Sequence, residues 1–289
     1  MGHALTRPRR PARGFTLVEL LVVIAIVALL MAILMPALRQ AREMARAAVC
    51  LSHERNLMLA VTTYVQETGH IPPLLFDYPK PIPNSPYCTY GDPWWQVFWR
   101  DGRLSRDVLG CPSSNRKGFM SVWDDNQPRW VSNGVGGGFG FIGDLDHPTK
   151  PGTTYNANGG WGAGIGAGPP NAPLNYPFQH VVDVSIVYDP PNSGGVNGYV
   201  AVHKPLAMSR VAVPSGVIGI QDGTCVFLTN QYIAPRHGGG CRPGDEFAFG
   251  EVFNAVFLDG HATGMQKGTD ARRPWIGLPA GMWTIHPND

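Results

Sequence analysis

The stretch RGFTLVELLVVIAIVALLMAILMPAL, residues 13 to 38, holds one carboxylate, Glu19, at the head of an unbroken apolar run. No charged residue occurs from Leu20 to Leu38. As a helix that run covers about 28 Å, enough for the hydrocarbon core of a bilayer. Such a segment must lie in lipid or against other apolar helices. Arg7, Arg9, Arg10 and Arg13 precede it and no acid does, which predicts a cytoplasmic N-terminus and export of everything that follows. Without these four, 19 basic side chains stand against 21 acidic ones. The remainder is near neutral, and nucleic acid is not an expected partner.

Glu19 is the difficulty. On insertion scales a charged side chain at the centre of a membrane helix costs about 2.5–3.5 kcal/mol, so it needs a partner and a reason. A secretory signal peptide has a shorter apolar core, about 7–15 residues, and a small-residue cleavage site. Only Arg9-Arg10 hints at a twin-arginine signal. A plain signal anchor accounts for length and orientation and leaves Glu19 unexplained.

The segment closely resembles the N-terminus of type IV prepilins and type II secretion pseudopilins. Glycine, phenylalanine, glutamate and proline all stand in the family's register, at Gly14, Phe15, Glu19 and Pro36. The resemblance implies that a prepilin peptidase cuts between Gly14 and Phe15 and that the new N-terminus is methylated. It also implies that Glu19 meets the Phe15 ammonium of a neighbouring subunit in a filament. By spacing alone, four residues along one helix, an intrachain contact with Phe15 is equally open. Opposite charges in an apolar setting attract strongly, and leaving either one alone is costly. Pro36 removes a rung of the helix ladder and bends or loosens it.

Beyond Pro36, RQAREMARAAVCLSHERNLMLAVTTYV contains no breaker and is expected to continue the helix to about residue 66, ending at Gly69 and the IPP that follows. Ala47, Cys50, Leu57, Val61 and Tyr64 share one face, which Glu54 interrupts. The expected divisions are a basic leader at 1–14, a transmembrane or filament-core helix at 15–38, its amphipathic continuation at 39–68, and a head at 69–289.

The head has 36 Gly and 27 Pro over the whole chain to punctuate it, yet eight Trp supply core area. Short strand-like pieces, VVDVSIVY, GYVAVH, GVIGIQ, CVFLTN and AVFLDGHATGM, lie between Gly/Pro/Asn turns. They suit an antiparallel sheet better than parallel crossovers. The expected fold class is α+β: a long N-terminal helix, its first half transmembrane, packed on a loop-rich antiparallel head, the pilin layout. DPWWQVFWR (92–100) groups Trp94, Trp95, Phe98 and Trp99, either as core or as a sugar-stacking platform. Gly138, Gly140 and Gly143 spell GxGxxG, but DLDHPTKPG follows where a nucleotide-binding helix should start.

The C-terminal PRHGGGCRPGDEFAFGEVFNAVFLDGHATGM resembles the prepilin-associated family named for an H-X9-DG motif. His237 would be its histidine and Asp259-Gly260 its final pair, followed by His261. An insertion, CRPGDEFAFGEV, lengthens the spacing. CPSSN, TTYNANGG and SRVAVPSGVIGIQDG fit the same family in order. Asp222, His237, Asp259 and His261 are donors that a sheet could assemble. They either serve a hairpin turn and a backbone-bonded histidine, or hold a metal. Calcium is the ion that the resemblance and the oxygen donors suggest. No cofactor beyond that is expected. Ser, His and Asp occur without a GxSxG elbow, so no enzyme is expected.

No CxxC pair occurs among Cys50, Cys88, Cys111, Cys225 and Cys241. Export would permit disulfides. Cys225 and Cys241 could bridge adjacent strands, and Cys50 and Cys111 stand where the resembled family often has cysteine, which admits a helix-to-head link.

The resulting expectation is a single-pass inner-membrane protein with a periplasmic or extracellular head. Its partners would be the prepilin peptidase and methylase, the membrane, and other pilin-like subunits. The competing reading is an unprocessed anchored module whose exported head binds a surface carbohydrate or a metal.

Overall fold

The computed structural model describes residues 15–73, 75–76, 80–81, 88–89, 92–114, 121–124, 129–132, 145–158, 177–178, 205–223, 233–238, 251–266 and 282. The chain divides into two compact units, Met1–Arg42 and Glu43–Asp289. Helix α1 covers Leu17–Thr68, 52 residues with Pro36 inside it. It is long and apolar enough to cross a membrane by length and composition. Within the first unit, every described side chain from Phe15 to Arg42 is exposed, Leu, Ile, Val and Met included. Apolar surface of that extent is a contact surface for lipid or other helices. Gly69, with φ of +74°, ends α1 by turning its N–H back to the Val65 carbonyl at 2.7 Å.

In the second unit, α1 lays Cys50, Glu54, Leu57, Met58, Ala60 and Val61 into the core. The spacing is that of one helical face, and Glu54 belongs to it: it is fully buried and does not interrupt the stripe. That overturns its expected place on the helix. Small two-stranded ladders follow: β1 (Leu75–Phe76) pairs with β4 (Asp92–Pro93), β2 (Lys80–Pro81) with β3 (Cys88–Thr89), and β5 (Ser121–Asp124) with β6 (Arg129–Ser132). Helix α2 (Trp94–Arg100) lies just after β4. Trp94, Trp95 and Phe98 are core side chains, so these rings form no open platform.

The main sheet has four antiparallel strands in the order β10 (Ala262–Gln266), β9 (Val252–Phe257), β8 (Ile218–Asp222), β7 (Tyr155–Ala157). The expected strands at GVIGIQ and across AVFLDGHATGM are present as β8 and the β9–β10 hairpin. Strand β7, inside TTYNANGG, was not among the expected strands. VVDVSIVY, GYVAVH and CVFLTN lie outside the described residues. At the hairpin Gly260 has φ of +93°, which accounts for glycine after Asp259. A long helix followed by this sheet is the α+β pilin-like layout.

Candidate functional site

Two places along α1 concentrate chemistry. At the N-terminal end, Thr16 precedes the first helical residue and Glu19 stands three beyond it. The Thr16 N–H donates to Glu19 Oε2 at 2.9 Å, and the Thr16 hydroxyl to the same oxygen at 2.8 Å. In return the Glu19 N–H donates to Thr16 Oγ1 at 3.2 Å. This reciprocal arrangement is a capping box, which satisfies two orphan donors of the helix start. Glu19 therefore has a partner within its own chain, Thr16. Thr16-x-x-Glu19 is legible in the sequence as a cap signature, and the apolar run diverts attention from it.

The second place is buried where the C-terminal half of α1 meets the sheet. Cys50 comes from α1, Cys111 follows the 3-10 turn Arg106–Leu109, Asp222 ends β8, and His237 pairs as an isolated bridge with Val252 of β9. One donor atom from each of these four lies within 4.8 Å of all the others, and all four residues are buried. The Cys50 thiol donates to Asp222 Oδ1 at 3.1 Å and lies 3.3 Å from the Tyr155 hydroxyl. Cys111 Sγ lies 3.6 Å from His237 Nε2, which is 3.4 Å from Asp222 Oδ2. The Asn254 N–H donates to Asp222 Oδ2 at 2.9 Å. Buried Arg236 donates to the carbonyls of Thr154 (2.9 Å) and Gly223 (2.7 Å) and pairs with Asp222 Oδ1 at 3.4 Å.

These contacts set the charges. Burial opposes ionisation of Asp222, but His237, Arg236 and the Asn254 N–H outweigh it and hold the carboxyl below its usual range. Burial likewise opposes the His237 cation. Hydrogen bonds to Asp222 and Cys111, with their charges, hold it up at about 10. Cys111 is brought down to about 6 against burial, chiefly by hydrogen bonding from Cys50, then by His237 and Arg236. Cys50 is pushed well up by burial and by the Cys111 and Asp222 charges. Cys111 and Asp222 face the same ring nitrogen of His237. Asp222 therefore does not orient the ring from the nitrogen opposite the thiol, as the carboxylate of a nucleophilic triad does. Donors converging on a closed interior point can instead hold a metal ion.

Glu54 completes the surroundings. It is fully buried, neither of its oxygens is hydrogen-bonded, and burial with the Asp222 and Cys111 charges pushes it well above the carboxylate range, Arg236 opposing in part. The fold holds Glu54 protonated while the unfolded chain ionises it, so its contribution falls as pH rises above about 4.5 toward the folded value. Glu54→Met is accordingly expected to stabilise the head at pH 7 by about 1–3 kcal/mol, with a smaller gain at pH 4. Urea unfolding at the two pH values checks this, and a loss of stability at pH 7 would sink it.

Of the residues singled out from sequence, Asp222 and His237 are together in this cluster. Asp259 and His261 instead pair with each other at 2.6 Å in the exposed β9–β10 turn, His261 stacking on Phe257 at 4.2 Å. The structure thus splits the expected four-residue set into two pairs. Cys50 and Cys111 are brought close as free thiols and are not bridged. Gly14, Cys225 and Cys241 lie outside the described residues. Bridge pairing of His237 with Val252 brings together the two sides of the inserted segment, so its length does not disturb β9.

Long helix and antiparallel sheet give an α+β, pilin-like layout. The family model for the prokaryotic N-terminal methylation motif matches residues 9–35, which supports a pilin-like precursor with a membrane-anchoring helix. No curated protein matches the chain, and no solved structure does.

Proposed function

We propose that this chain is a structural prepilin-like subunit, cut between Gly14 and Phe15, N-methylated at Phe15 and assembled through residues 15–38 into a type IV pilus or a type II secretion pseudopilus. The carrying observation is the exposed apolar stretch 15–38, whose one acid, Glu19, sits inside the matched methylation motif. On this reading the N-terminus is cytoplasmic, the head exported, and His237 with Asp259-Gly260 the C-terminal motif of the prepilin-associated family. The protein is then a substrate of processing enzymes and not itself an enzyme.

The capping box adds a step. Before assembly Glu19 is satisfied by Thr16; in a filament it turns to the Phe15 ammonium of a neighbour, so insertion exchanges one set of partners for another. Intact-mass and N-terminal analysis of membrane-extracted protein tests the proposal. A chain starting at Phe15 and one methyl group heavier supports it; one starting at Met1, or cut near Ala37, overturns it. Glu19→Ala should still be processed yet fail to enter filaments.

A further inference from the structure

We propose that Cys50, Cys111, Asp222 and His237 form a closed tetrahedral site for one structural Zn2+ that staples α1 to the head. Tetrahedral zinc, with bonds of ~2.3 Å to sulfur and ~2.1 Å to nitrogen or oxygen, sets sulfur–nitrogen and sulfur–oxygen edges of about 3.6 Å and a nitrogen–oxygen edge of about 3.4 Å. The corresponding separations here are 3.6 Å for Cys111 Sγ to His237 Nε2, 3.4 Å for His237 Nε2 to Asp222 Oδ2, and 3.1 Å for Cys50 Sγ to Asp222 Oδ1. The two Asp222 separations involve different oxygens of its carboxylate, and one donor atom from each residue lies within 4.8 Å of the other three, a spacing that small side-chain shifts bring to a single-ion tetrahedron.

The donor chemistry selects the ion. Two sulfurs exclude calcium, which takes six to eight oxygens, and a sulfur, nitrogen and oxygen set of four suits zinc. Two thiolates and one carboxylate carry three negative charges; Zn2+ and the buried Arg236 guanidinium carry three positive ones, so the loaded site is neutral inside the core. The outer shell fits as well. His237 Nδ1 is buried and has no hydrogen-bond partner, and Glu43 Oε1 lies 3.9 Å from it. A small approach of that carboxylate would orient the ring as outer-shell acids do for zinc-bound histidines. All four ligands are buried, which marks a structural site rather than a hydrolytic one.

The benefit lies in what is joined. The ligands come from α1, the turn after Leu109, the end of β8 and the bridge to β9. A head whose described strands are short gains a cross-link among segments far apart in sequence.

The experiment uses the full chain, extracted in detergent under reducing conditions, with metal content measured directly and after exchange with Co2+. The expected result is one zinc per chain and, with cobalt, thiolate charge-transfer bands plus intense tetrahedral visible bands. Chelation should lower Tm by about 10 °C or more. Combined replacement of Cys88, Cys225 and Cys241 by Ser should leave the spectrum intact, whereas Cys111→Ser should abolish the two-thiolate signature. The wild-type spectrum decides the matter even if Cys111→Ser fails to fold. A chain that takes up no metal, a cobalt spectrum without thiolate bands, or a native Cys50–Cys111 disulfide found by peptide mapping of a separate sample alkylated before any reductant is added would each overturn the site. None of these outcomes depends on cleavage at Gly14, so the site and the filament reading fail separately.

Discussion

Arg236→Met is expected to cost the head about 3–5 kcal/mol of folding stability. The guanidinium is buried, bonds two backbone carbonyls and pairs with Asp222. Methionine matches its apolar stem but strands the Gly223 carbonyl, leaves the Thr154 carbonyl only the Gly223 N–H at 3.1 Å, and leaves the Asp222 charge with His237 as its remaining cation. Removing one partner of a buried ion pair is far worse than removing both, because the survivor stays desolvated. Arg236→Lys should recover less than half the loss, since one ammonium cannot reproduce a planar fork that reaches two carbonyls and a carboxylate. The half-buried Arg103, held by Glu67 at 2.7 Å at the surface, is the control: Arg103→Met should lose little, as solvent screens that pair. Guanidinium unfolding followed by Trp fluorescence measures all three. Equal losses at Arg236 and Arg103 would remove the buried network from any account of stability.

The N-terminal quarter was largely legible because its signals are local. An uncharged run gives a span, and the absence of breakers carries the helix to Thr68. Glycine in register ends it. What escaped even there was the role of side chains facing inward. Glu54 reads as a break in an apolar stripe on any hydrophobicity pattern, and only the packed sheet shows it buried. The capping box escaped for the opposite reason: its hydrogen bonds are purely local, but an acid next to a membrane segment invites a search for a distant partner.

In the head, legibility stopped where contacts became long-range. Asp259, Gly260 and His261 stand together in sequence and do meet, as a turn. Asp222 and His237 were recognisable as donors, yet their companions are cysteines from α1 and from CPSSN, far away along the chain. Spacing cannot reveal such a set, because no two of its members sit within one helical turn or one hairpin. Cys50 and Cys111 were legible as a pair only through the resemblance, and as a bridge rather than as ligands. Strand β7 is three residues of Tyr-Asn-Ala, and its pairing with β8 supplies what its weak strand propensity does not.

Trp95→Ala should destabilise the head by about 3–5 kcal/mol, comparable to Arg236→Met and for a different reason. Helix α2 is seven residues long, and Pro93 at its start gives no side-chain cap, so it cannot hold itself. Its anchor is burial: Trp94 meets Trp95 edge-to-face at 6.2 Å and Phe98 at 5.7 Å, and Phe98 reaches Tyr64 of α1 at 5.5 Å. Trp95 itself is 0% exposed, and its indole N–H donates to the Pro151 carbonyl at 3.2 Å, an acceptor it shares with the Gln96 side chain. Alanine leaves a cavity on the scale of the indole; Trp95→Phe fills most of it and loses only the hydrogen bond, so its cost should be clearly smaller. Trp99, partly buried at the edge of the same cluster, should tolerate alanine better than Trp95 does. Thermal unfolding of the three variants separates core from platform. A Trp95→Ala head as stable as the parent would mean that the rings do not carry the fold, and a carbohydrate-stacking role would then return as the reading of DPWWQVFWR.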